Sequence, residues 1–167
     1  MNNGAGAVFV IEHLTTKINE NTMLYQILNR AHSGFRWVVL LLLLAAIFSA
    51  FQAWQSGRAG ASKMSLYALI ATHIQLLGGL ILYFISPYVK FEGGVMKDAV
   101  ARFYTVEHIS MMLIAVALIT IGYSKAKRAA NSAAKGKTTF WFYLIGLLVI
   151  LAAIPWPFRS GLGGGWY

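Results

Sequence analysis

Four long apolar runs constrain this chain more than any other feature. They occupy residues 38–54 (VVLLLLLAAIFSAFQAW), 64–89, 100–124 and 140–157. A helix needs about 20 residues to cross roughly 30 Å of hydrocarbon, so each run is close to one transmembrane span. Hydrophobic residues make up 58% of the 167 and charged residues only 11%. That composition leaves too little polar surface to coat a water-soluble globule, and it excludes a disordered chain. The expectation is an all-α integral membrane four-helix bundle in one domain, residues 31–159. Spans one and three should run parallel, with two and four antiparallel to them, and sequential neighbours should be adjacent.

The loops carry orientation. Arg58 and Lys63 lie between spans one and two, and Lys125, Lys127, Arg128, Lys135 and Lys137 between spans three and four. Those seven cations have no acid among them, so the positive-inside rule places both loops in the cytoplasm. All five acids (Glu12, Glu20, Glu92, Asp98 and Glu107) belong to the other face. Both termini are then expected on the periplasmic side of a bacterial inner membrane. A net charge of +9 would suggest nucleic acid in a soluble domain. Here it sorts with the loops, so the lipid bilayer is the expected partner and nucleic acid is not.

Residues 1–30 are too polar to span and lack the pattern of a signal peptide. Met23, Leu24, Ile27 and Leu28 have the spacing of an amphipathic segment lying on the membrane surface. Residues 160–167, SGLGGGWY, read as a flexible tail ended by an aromatic anchor.

The chemistry must come from the few ionisable groups near or inside the spans, since each is costly there. The chain has no cysteine, which excludes disulfides, thiolate metal sites, iron–sulfur clusters and thioether-linked haem. It has no P-loop, dinucleotide fingerprint, HExxH or Ser/His/Asp spacing either. What remains is histidine. His108 follows Glu107 at the outer end of span three, on a stripe with Ala101, Thr105, Met112 and Ala115. A neutral imidazole there can ligate iron through one nitrogen while the other donates to a carbonyl or carboxylate. It can equally be a structural hydrogen bond between helices, with Glu107 pairing to Arg36 or Arg102. His73 lies deep in span two beside Gln75 and just before Gly78-Gly79, and His32 opens HSGFRW one turn before Arg36. Counted from the flanking charges, His108 differs from both His73 and His32 by roughly 10 Å or more in depth. Neither pair therefore meets one iron without a tilt or shift of register. Arg36, Trp37, Arg102, Trp156 and Arg159 gather at the outer ends, as they would around an anionic or quinone-like headgroup.

The strings HSGFRW, HIQLLGGLILY, RFYTVEHISMMLIAVALITIGYSK and AAIPWPFR together resemble a small bacterial four-helix membrane family commonly labelled "cytochrome b". The resemblance covers residues 28–160. It places the family's polar signature on His32, Arg36, Trp37, His73, Gln75, Arg102, Glu107, His108, Trp156, Pro157 and Arg159, and the long polar amino terminus departs from it. It implies haem b held without covalent attachment, with His108, His73 and His32 as candidate iron ligands and Arg36, Arg102, Glu107 and Arg159 around it. The expected function is electron transfer in the inner membrane, with other membrane subunits and a quinone as candidate partners. The competing expectation is a non-catalytic subunit of a larger membrane complex, its histidines purely structural.

Overall fold

A computed structural model of the chain describes residues 3–57, 62–159, 161–162 and 164–166, with side chains from residue 22 onward except that of 62. Arg58 lies outside the described residues. The described fold is built from helices: α1 (Asn3–Ser56), α2 (Ser62–Ile85), α3 (Ala99–Lys127) and α4 (Ser132–Ala153), with a short 3₁₀ turn at Val95–Lys97. All four are long and apolar enough to cross a membrane. Large apolar side chains face outward around the bundle, Leu41 66%, Phe48 63%, Leu77 61% and Phe84 77% exposed. Surfaces so apolar belong against lipid, and helices satisfy every backbone group internally, as hydrocarbon demands. The chain is a multi-pass membrane protein.

Local chemistry sets the ends. Gly57, at φ 67°, closes α1 with its N–H on the Ala53 carbonyl, a left-handed position suited to glycine. Pro87 follows Ser86 and stops α2, because proline disfavours a helical residue before it. Asp98 Oδ1 accepts from the N–H groups of Val100 and Ala101, and Asn131 Oδ1 accepts from Ala134 N–H. These cap α3 and α4.

The helices close as a ring: α1 packs on α2 and α4, α4 on α3, and α3 more sparsely on α2. Close packing relies on small residues, as is usual between membrane helices. Ala46, Ala50 and Ala53 are buried on α1, and a β-carbon on Gly136 would stand 2.5 Å from Trp54 N and 2.6 Å from Ala50 O. Tyr143, fully buried, donates to the Ser65 carbonyl at 2.8 Å.

Three features differ from the sequence expectations. The amino-terminal segment is not a separate element: α1 is one unbroken helix of 54 residues, since no proline interrupts 1–56 and isolated glycines such as Gly34 do not break it. Residues 103–107 form a π-helical turn inside α3. The tail is docked: Arg36 Nη2 donates to the Gly165 carbonyl and Trp37 Nε1 to that of Trp166, each at 3.1 Å, while Tyr104 donates to the Leu162 carbonyl at 2.7 Å.

Candidate functional site

Where α2 and α3 meet sparsely, the bundle holds a cavity of about 330 Å³. Its inner wall is mostly apolar, with Val39, Leu76, Met112, Val116 and Ile150 beside Thr72 and Gln75. Its outer wall is polar and comes from three helices: Tyr25, Asn29, His32, Ser33 and Arg36 from α1, Tyr83 from α2, and Tyr104 and His108 from α3. Gly164 and Gly165 of the tail complete that wall.

The π-turn decides what α3 shows to the cavity. Residues five apart on an α-helix point about 140° away from one another. In the π-turn the His108 N–H bonds to the Phe103 carbonyl, which brings residues five apart onto one side. The rings of Phe103 and His108 then lie 5.7 Å apart. Glu107 is turned away, and its Oε1 accepts from Arg102 Nε at 2.7 Å.

His108 Nδ1 and the Ala153 carbonyl are 2.8 Å apart. A carbonyl only accepts, so Nδ1 carries the proton and Nε2 keeps its lone pair. His32 packs against α2 where Gly78 and Gly79 have no side chains. A β-carbon on Gly79 would lie 3.1 Å from His32 Cε1. Gln75 Nε2 donates to the His32 carbonyl at 2.8 Å and fixes the register of the two helices. His32 Nδ1 and Arg36 Nε are buried without a hydrogen-bond partner among the described residues. The Arg36 guanidinium is 5.3 Å from the Trp37 ring centroid and 5.7 Å from that of Trp156.

His32 and His108 both line this one cavity. α1 is already helical well before His32. His73 is not brought to this wall. Its Nδ1 lies 2.8 Å from the Leu69 carbonyl and its Nε2 3.4 Å from Thr120 Oγ1. Thr120 is twelve residues beyond His108 on α3, about 18 Å along the axis. Arg102, Glu107 and Arg159 also lie off the cavity wall. Arg102 Nη1 donates to the Met96 carbonyl, and Arg159 Nη1 to the Ala152 carbonyl, with its guanidinium 5.1 Å from the Phe103 ring centroid. These arginines fasten loops and helix ends.

Sequence reasoning missed Tyr25, Tyr83, Tyr104 and the tail carbonyls. Tyr83 and Tyr104 lie inside the strings HIQLLGGLILY and RFYTVEHISMM, but the polar signature read from them did not include the tyrosines. The glycine run of the tail was the available signal: a β-carbon on Gly164 would collide with the Pro155 carbonyl oxygen. In comparisons with known proteins, the chain matches no family model, no curated protein and no solved structure.

Proposed function

We propose that the chain is a b-type haem-binding protein serving electron transfer in a bacterial inner membrane, as its resemblance to the "cytochrome b" family implies. The observation that carries this reading is the state of His108. Its Nδ1–H is held by a backbone carbonyl, its Nε2 lone pair is left for a metal, and His32 stands on the same cavity wall. A hydrogen bond of that kind would fix the tautomer and orientation of a metal-ligating imidazole. The donor set therefore fits haem iron, with His108 as principal ligand and His32 as its partner. When bound, haem supplies one-electron chemistry. The chain's own residues orient it: Ala153 aims His108, the Gly78-Gly79 pair seats His32, and Arg36 offers a cation at the polar end. The mostly apolar inner wall excludes water.

The cationic loops support a cytoplasmic location for the α1–α2 and α3–α4 connections. With four crossings, the cavity's polar mouth, the start of α1 and the carboxy-terminal tail then lie on the periplasmic side.

The test is an absorption spectrum of protein expressed with ample haem, oxidised and dithionite-reduced. Sharp reduced bands that disappear in His108→Ala support the proposal. A colourless wild-type protein refutes it. One observation favours the alternative, a non-catalytic subunit. At 54 residues, α1 is about 81 Å long, far more than a bilayer needs, and its outer stretch could dock a partner subunit. Stoichiometric copurification of a colourless protein with other membrane proteins would select that reading.

A further inference from the structure

Arg36 is the least explained group in the bundle. It is a permanent cation, only 8% exposed, on the wall of the cavity. It forms no ion pair among the described residues, and no residue lining the cavity is an aspartate or glutamate. The two faces of polar support around it are neutral: the Gly165 carbonyl takes Nη2, and the indoles of Trp37 and Trp156 lie against the guanidinium. Nε has no partner among the described residues. A buried charge left in this condition is costly unless an opposite charge joins it. Beyond Arg36 the lining turns apolar, with Val39, Leu76 and Met112 among it.

We propose that Arg36 is a carboxylate-binding post, and that the molecule held in this cavity carries a carboxylate on an apolar body. A guanidinium is suited to the task because its planar donors match a carboxylate and it stays charged at any physiological pH. The proposal deepens the haem reading, in which the carboxylate is a propionate. The same chemistry is offered by a long-chain fatty acid, which would owe nothing to His108.

The full-length protein, purified without haem in a non-ionic detergent, separates these sources. It is titrated with hemin and with hemin dimethyl ester, which lacks the carboxylates, and separately with oleate and with oleyl alcohol. In the expected result the acid binds about tenfold or more tightly than its neutral counterpart. Arg36→Gln abolishes that preference, Arg36→Lys retains part of it, and Arg102→Gln leaves it intact. The acid-to-ester ratio in the wild type needs no variant to fold, so it tests the proposal by itself. A preference seen with hemin identifies a propionate, and the haem reading stands with the post. A preference for oleate with no binding of hemin or its ester keeps the post and removes the haem reading. Hemin bound no better than its dimethyl ester, with no preference for oleate, overturns the post while leaving the haem reading in place. No binding of any of the four overturns both.

Discussion

Arg102 and Glu107, five residues apart on α3, meet at 2.7 Å. A regular α-helix would point them about 140° apart, so the ion pair is a direct product of the π-turn at Phe103–Glu107. The same turn carries His108 to the cavity while Glu107 goes to the surface. A residue adjacent in sequence to the principal candidate ligand is thereby removed from its chemistry.

Glu107→Gln should accordingly leave ligand binding and any haem spectrum unchanged. Both partners are more than a third exposed, and such pairs contribute about 0.2–1 kcal/mol. A small fall in melting temperature in detergent is the expected outcome, with the absorption spectrum as the second readout. Loss of the spectrum would return Glu107 to the site.

His73 and His32 should behave oppositely. His73 Nδ1 is tied to the Leu69 carbonyl and the ring lies outside the cavity lining, so His73→Asn should preserve any six-coordinate haem spectrum. His32→Ala should convert it to a five-coordinate one. The reverse pattern would assign the second ligand to His73.

Asp98 gives the outer end of α3 a dependence on acid. The Ala101 N–H holds its carboxyl below the ordinary value of 3.8 against an opposing desolvation, with Val100 N–H and the nearby Lys90 adding to the depression. A depressed folded value means that the cap contributes fully above the unfolded value and is lost as pH falls through the lower folded one. Asp98→Asn keeps a capping oxygen without the charge. Melting curves taken from about pH 6 to about pH 3 should show the wild-type advantage over Asp98→Asn shrinking toward acid. A constant difference would contradict the cap's electrostatic part.

Gly136→Ala should be destabilising by about 1–3 kcal/mol, the usual range for overpacking. The new carbon would meet the α1 backbone at Trp54 N and Ala50 O, neither of which can rotate away. Gly34→Ala is the contrast. It meets nothing within 4 Å, and replacing a mid-helix glycine should stabilise by about 0.5–1 kcal/mol. Thermal unfolding of both variants in one detergent checks the pair.

The bundle was legible because hydrocarbon thickness imposes a length on apolar runs, and the four runs of the sequence correspond to α1–α4. His32, Arg36 and His108 were legible as candidates because ionisable groups near spans are rare. Their convergence was not. It depends on a π-turn, which leaves no composition signal around Phe103, and on the close approach of α1 to α2 at Gly78 and Gly79. The docking of Gly165 and Trp166 was hidden for a different reason. Its bonds use backbone carbonyls, which every residue has, so only the absence of side chains at the glycines hinted at the close approach.

The seat of His32 against Gly78 and Gly79 has an entropic consequence. An imidazole on a helix facing open space samples several rotamers, and a ligand that needs one of them must freeze the ring on arrival. Here the ring lies within 4 Å of where two missing β-carbons would be, and its backbone carbonyl is tied by Gln75. The loss of rotamer freedom is incurred when α1 and α2 come together, so less of it opposes binding. A methyl group at Gly79 would shift that cost back onto the ligand, weakening affinity through disorder of the imidazole with every polar group of the cavity still present.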